Sequence, residues 1–283
     1  MRPTRWLVLG AHGMLGRDLV EVLRAQGADV VAAGRGDVDI LDGAAVERGV
    51  ADADVVVNCA AYTAVDAAES DQEAAERLNG DAAGVVARAC AAAGARMVHV
   101  STDYVFAGDA AEPYSEDAPI APVSVYGMTK ASGERQVRES GADALIVRTA
   151  WLYGEHGACF PKTIAKVAAD RGAIAVVDDQ RGQPTWTRDL ADLIVRLIAA
   201  GAPAGTYHGT SSGSCTWFEF ARDVLLSADV VAELTPTTTD AFPRPAPRPA
   251  WSVLGHDATV RAGVESIGHW RDRWLLAAQE VVG

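Results

Sequence analysis

The sequence predicts an α/β fold: a doubly wound parallel sheet followed by a smaller C-terminal α/β lobe. Three observations lead there. Short apolar runs such as WLVL (Trp6 to Leu9) lack polar alternation, which suits strands buried on both faces. Between them, apolar residues recur at helical spacing, and such alternation implies right-handed crossovers with helices on both faces of a parallel sheet. A glycine-rich turn, GAHGMLG, joins the first strand to the first helix.

WLVL forms the first strand and ends at Gly10. Leu15, Leu19, Val22 and Leu23 then share one helical face up to Gln26-Gly27, where glycine stops the helix. DVVAA (Asp29 to Ala33) is the second strand and DVVVNCA (Asp54 to Ala60) the third. An alanine-rich helical tract runs from Ala74 to Ala93, followed by the strand RMVHVS (Arg96 to Ser101), a helix around Tyr126 and the strand ALIVRT (Ala144 to Thr149). Beyond Trp151 the pattern loosens into a helix near Phe160 to Ala169, a strand AIAVV, helices over Arg188 to Ala199 and Trp217 to Ser227, and a proline-rich stretch.

Composition narrows the function. Apolar residues make up 49% and charged residues 22% of 283, the balance of an ordinary globular protein with room for a core. A formal net charge of −13 argues against a nucleic-acid backbone or an anionic membrane as the main partner. Cys59, Cys90, Cys159 and Cys215 lie far apart without a C-x-x-C, so no zinc site or disulfide framework is suggested and a reducing compartment fits. The six histidines show no metal-ligand spacing, and no metal site is expected. The start, MRPTRWLVLGAHG, has too short an apolar run for a signal-peptide core, and no run approaches the ~20 residues that span a bilayer. The expected location is cytoplasmic.

In GAHGMLG, Gly10, Gly13 and Gly16 stand at the first strand-to-helix junction, where glycines let the backbone approach a pyrophosphate held by the helix N-terminus. The G-x-x-G-x-x-G spacing differs from G-x-G-x-x-G, and alone it also describes a merely tight turn. That turn makes the sheet Rossmann-like. In AAGRGDVDI, Arg35 stands near the position that reads the adenosine ribose and no acid does, which leans toward NADPH with NADH still open; a plain surface arginine reads equally well. Asp39 could meet the adenine amino group.

VSVYGMTKASGE places Tyr126 and Lys130 four residues apart, on one face of a helix. A tyrosine there can protonate a developing alkoxide, with the ammonium expected to lower its pKa. The bare pattern is common by chance; its company is STDYVF, which puts Thr102 and Asp103 at the carboxyl end of a strand, where parallel sheets bind ligands. Thr102 can hydrogen-bond a carbonyl oxygen or simply cap a helix. Trp151 could stack on a sugar ring or plug the gap between lobes. Arg244 and Arg248, in FPRPAPRPAW, could cradle a diphosphate or sit solvated on a stiff surface strap. Trp217, Phe218 and Phe220 read as core of the second lobe.

These motifs occur in order with NCAAYTAVDAAE (Asn58 to Glu69), RTAWLYG, DDQRGQPT and GSCTWFEFA. From about residue 5 onward the chain resembles the dTDP-4-dehydrorhamnose reductase family of the extended short-chain dehydrogenase/reductase superfamily. The resemblance implies Tyr126 as general acid, Lys130 as its partner and cofactor ligand, and Thr102 as third member of the triad. It further implies Gly13, Met14 and Leu15 at the pyrophosphate, Asp39 and Ile40 at the adenine, and Ala61, Tyr62 and Thr63 at the nicotinamide-side ribose. Thr102, Asp103 and Trp151 would touch a dTDP-sugar substrate. The expected division is a dinucleotide-binding domain over 1–150 with roughly 180–210, and a substrate-binding lobe over 151–180 and 211–283. Cys159, Arg181 and Trp251 depart from the family pattern and keep another dTDP-4-keto-6-deoxysugar open as substrate. An epimerase-like member with bound NAD and a non-catalytic nucleotide-binding regulator are the remaining alternatives. The sequence does not say whether the chain forms a homodimer.

Overall fold

β1 (Arg5–Leu9), β2 (Asp29–Ala33), β3 (Val55–Asn58), β4 (Arg96–Thr102) and β5 (Ala144–Thr149) form the main sheet with a later strand, in a computed structural model that describes residues 4–283. The first three residues of the basic start lie outside the described range. The helices between these strands are α1 (Met14–Ala25), α2 (Gly43–Val50), α3 (Ala82–Ala93) and α4 (Val125–Glu139). Farther on come α5 (Phe160–Arg171), β6 (Ala173–Val177), α6 (Thr187–Ala199), β7 (Gly205–His208), α7 (Trp217–Ser227), β8 (Glu233–Thr237) and α8 (Trp270–Val282).

The main sheet has six parallel strands in the order β7-β5-β4-β3-β1-β2. Its strands read as unbroken apolar runs because both faces are covered: Val8, Leu9, Val56, Val57 and Val98 are fully buried. On one face α1 sets Leu15, Leu19 and Leu23 against Leu190 and Ile194 of α6; on the other, Val46, Val50, Val86 and Cys90 close the core. The chain leaves β1 toward β2 and later returns to β3 on the opposite side of β1. That reversal opens a crevice beyond the carboxyl ends of β1 and β3, where such sheets bind ligands.

The second lobe pairs β6 with β8 and packs α5, α7 and α8 around Tyr153, Phe220, Trp270 and Trp274. Phe220 is core, as the sequence suggests, and the half-buried Trp217 and Phe218 pack against that lobe's core. Residues 187–208 do not stay with that lobe, since α6 lies on α1 and β7 extends the main sheet beside β5.

The alanine-rich tract is not one helix. A short helix, Gln72–Glu76, passes into a π turn at Arg77–Asp81 before α3 begins. The widened turn serves Asn79, whose amide is buried and fully used: Nδ2 donates to Tyr62 O (3.1 Å) and Thr129 Oγ1 (3.0 Å), and Oδ1 accepts from Tyr62 N (2.8 Å). Apolar periodicity carries no mark of such a bulge, although bulges of this kind often sit at functional sites.

Candidate active site

The loop Gly10–Gly13 needs its glycines for close approach. Gly10 has φ +73°, and a Cβ there would stand 2.8 Å from the backbone nitrogen of Ala60. α1 begins at the Gly13 cap with no side-chain hydrogen bond and no acidic residue in its first turn, so its leading N–H groups remain available to an anion. Two cavities adjoin this helix end. One of about 640 Å³ is lined by Gly10, Gly13, Arg35, Asp39, Ile40, Ala61, Tyr62 and Thr63, among others. The second, about 400 Å³, is lined by Met14, Leu15, Thr102, Asp103, Tyr126, Lys130 and Trp151, and it shares Cys59, Ala61 and Thr63 with the first. Shared walls make them one elongated cleft along the carboxyl ends of the strands. An extended dinucleotide fits this cradle: uncapped amides in the middle, a polar mouth at Arg35 and Asp39, and the tyrosine–lysine pair at the far end.

α4 presents Tyr126 and Lys130 together, and Ser124 caps its start, accepting from Gly127 N at 3.2 Å. Gly127 lets the helix press on the preceding turn, since a Cβ there would collide with Tyr104 O. The Thr102 hydroxyl stands beside the Tyr126 phenol, and Thr102 Oγ1 donates to Asp103 Oδ1 at 2.9 Å. Lys130, 2% exposed, donates from Nζ to Val100 O at 2.7 Å. Burial pulls the Lys130 ammonium down to about 8, with the charge of Glu134 opposing the shift. Tyr126 goes the opposite way to the sequence expectation: burial pushes its phenol up to about 12, with the Thr102 hydroxyl pulling down and Asp103 pushing up. The phenol is therefore fully protonated at neutral pH, which is the state a proton donor needs. Burial also raises the Asp103 carboxyl to about 6.

At the mouth, Arg35 is largely exposed and pairs with Asp39, Nε to Oδ2 at 3.4 Å. The sequence reading saw no acid there; the turn after β2 folds one back. Asp39 Oδ1 also accepts from Leu41 N at 3.0 Å. Gly16 lines neither cavity but lies beneath the loop, where a Cβ would strike Gly10 O. Arg77, exposed beside Ala74 on the facing wall, was missed because it falls inside the supposed long helix.

Trp151 has a left-handed backbone, φ 45°, and its indole lies parallel to Trp217 at 3.5 Å between centroids. Arg244 and Arg248 line neither cavity. Both are held by Asp66: Arg248 Nη2 at 2.8 Å from Oδ1, Arg244 Nε at 3.4 Å from Oδ2, with Ala246 N donating to Oδ1 at 3.3 Å. The proline-rich strap thus crosses to the turn Val65–Ala68, right after Ala61, Tyr62 and Thr63 of the cleft wall. Of the departures from the family pattern, Cys159 caps α5, Arg181 reaches Glu219 at 3.3 Å, and Trp251 Nε1 donates to Glu112 O at 3.0 Å. Among the described residues, none of the three lines the cleft.

All four cysteines are free. Among the described residues one group, Asp18, Glu21 and His156, places metal-capable atoms within 4.8 Å of one another. No described helix is long and apolar enough to cross a membrane.

Residues 4–282 match the family model described as the RmlD substrate binding domain. The dTDP-4-dehydrorhamnose reductase of Streptomyces griseus is 51% identical over 279 residues, covering 95% of this chain and 91% of that protein. The dTDP-4-keto-6-deoxy-D-glucose reductase of Streptomyces niveus is 47% identical over 272 residues, covering 94% and 93%. A crystal structure of dTDP-4-dehydrorhamnose reductase from Bacillus anthracis in complex with NADP superposes with a TM-score of 0.95 at 36% identity, over 99% of this chain and 100% of that one. A full-length family match, relatives near half identity and a shared architecture together establish that the chain belongs to the dTDP-4-dehydrorhamnose reductase family.

Proposed function

We propose that the protein reduces the C4 carbonyl of dTDP-4-dehydro-L-rhamnose to dTDP-L-rhamnose, with NADPH as the preferred reductant. The observation that carries this reading is the convergence of Tyr126, Thr102 and Lys130 at one end of a cleft that runs past the uncapped N-terminus of α1 to the Arg35 mouth. The cofactor supplies a hydride to the carbonyl carbon. Tyr126, protonated at neutral pH, gives its proton to the carbonyl oxygen as charge builds there. Thr102 shares that charge by hydrogen bonding, and the buried Lys130 ammonium stabilises it at short range in a poorly solvated site. The exposed Arg35 is the group at the cleft mouth suited to a 2′-phosphate. Trp151 offers a flat apolar wall to the sugar, and Arg244 with Arg248 are the cations nearest in sequence logic to the diphosphate. In this reading, 1–150 with roughly 180–210 hold the cofactor while 151–180 and 211–283 shape the sugar-nucleotide side.

A second substrate stays in view because the Streptomyces niveus relative is named for dTDP-4-keto-6-deoxy-D-glucose. One assay separates the readings: NADPH oxidation with each 4-keto sugar in turn, and identification of the product. Rapid oxidation yielding dTDP-L-rhamnose supports the proposal. Tyr126→Phe is expected to bind NADPH normally and lose at least ~100-fold in kcat; retained turnover in that variant overturns the mechanism.

A further inference from the structure

The mouth of the 640 Å³ cavity lies between two walls. The turn after β2 supplies Arg35, Asp39 and Ile40, and the short helix Gln72–Glu76 with its π turn supplies Ala74, Arg77 and Leu78. The charged side chains lining this cavity are Arg35, Asp39 and Arg77, and they are not equivalent. Arg35 and Asp39 pair with each other, Nε to Oδ2 at 3.4 Å, so each spends much of its charge on the other. Arg77 is exposed on the opposite wall, and among the described residues its guanidinium forms no ion pair and no hydrogen bond. With two cations against one acid, Arg77 is the residue that leaves the mouth net positive, in a chain whose formal charge is −13.

We infer that Arg77 is a second reader of the cofactor's 2′-phosphate, acting across the cavity from Arg35. This rests on the reading of the cleft as an NADPH site. The pyrophosphate has donors of its own in the uncapped N–H groups of α1, so an unmatched cation at the mouth answers to a further anion on the ligand. A phosphate monoester carries about −1.5 to −2 at neutral pH and accepts on three oxygens. Arg35, with a carboxylate at its side, meets only part of that demand. Arg77 meets the rest with a planar fork that suits phosphate. The π turn explains how it is placed there. Asn79, two residues on, ties that turn to Tyr62 and Thr129 through a buried amide. The base of Arg77 is thereby fixed, while its long side chain stays free to close on the ligand.

The test reads binding rather than turnover. Calorimetry measures the affinity of the wild type and of Arg77→Ala for 2′,5′-ADP and for 5′-AMP, two ligands that differ only in the 2′-phosphate. The wild type is expected to bind 2′,5′-ADP more tightly, with an affinity that falls more steeply as salt is added. Arg77→Ala should lose about 10-fold more affinity for 2′,5′-ADP than for 5′-AMP, and its salt dependence should become shallower. Arg77→Gln, which keeps much of the stem and loses the charge, should show the same selective loss, so the test survives if the alanine variant does not fold. Equal losses for both ligands would overturn the inference and make Arg77 a cover for the adenine ring. No loss for either would make it a solvated surface arginine. If the wild type itself fails to distinguish the two ligands, the NADPH reading falls as well; if it distinguishes them and both variants keep the full difference, only the role of Arg77 falls.

Discussion

Glu134 and Arg148 meet in a two-pronged ion pair, Oε1 to Nε and Oε2 to Nη2 both at 2.9 Å, with side-chain exposures of 0% and 1%. Glu134 lies one helical turn beyond Lys130 on α4, and it also accepts from Ser101 Oγ, the residue before Thr102, at 2.6 Å. One carboxylate therefore fastens the helix of the acid to the strand of its partner and to β5. Arg138 adds a third cationic contact at 2.7 Å.

Against burial, which alone would raise it, the Arg148 guanidinium holds the Glu134 carboxyl down at about 2. A depressed folded-state value means the pair stabilises fully above the ordinary glutamate range and loses that contribution as pH falls from about 4.5 toward 2. Arg148→Met should cost about 3–5 kcal/mol by stranding the carboxylate. Glu134→Gln should flatten the acid end of the stability curve; both are read by denaturant unfolding from pH 7 down to acid. A variant that unfolds with the wild-type acid dependence would refute this assignment.

Arg35 and Asp39 make a prediction about the reductant. Removing the guanidinium in Arg35→Ala should lower kcat/KM for NADPH about 10-fold, the value of one charge-assisted contact, and leave NADH unchanged. Comparing the two cofactors in one assay checks it.

The strap predicts opposite effects for two partners in one ion pair. Arg248→Ala should weaken dTDP binding, measured by calorimetry, by roughly 10-fold if the diphosphate uses this arginine. Asp66→Asn frees the same guanidinium and should tighten dTDP a few-fold while loosening the strap. Equal weakening by both would mean that the pair serves only to fasten the strap.

Trp151 stores strain in its left-handed backbone, of order 1–3 kcal/mol for a bulky residue. Trp151→Gly relieves the strain but removes the indole. The variant should be less stable to heat, because loss of the stack on Trp217 outweighs the strain relieved, hold NADPH as before, and show a KM for the sugar nucleotide raised about 10-fold. A lower melting temperature with an unchanged KM would make Trp151 a packing residue.

What the sequence disclosed depended on how local the signal was. The main sheet was readable because its strands are buried on both faces and leave plain apolar runs, and Tyr126 with Lys130 stood out only through helical spacing taken together with STDYVF at a strand end. Asn79 and the π turn were invisible, since an i→i+5 bond leaves no periodic trace. Asp66 beneath Arg248, and His156 beside Asp18 and Glu21, were hidden for a different reason: each depends on a crossover bringing together residues that no spacing rule connects. The phenol of Tyr126 was misjudged in direction because proximity to Lys130 was weighed and burial was not.

The fastening of the strap to Asp66 orders events on the ribosome. Chains emerge from the N-terminus, and N-terminal units fold first. The pyrophosphate cradle and β1 to β4 lie within residues 5–102, so a nascent chain holds most of its dinucleotide wall early. Residues 242–251, which fasten the two sides, are synthesised only after β5, α6 and β7. A stalled chain ending near β7 should accordingly protect the β1–α1 region from protease when NADPH is added, and gain no protection from dTDP until the strap has been made.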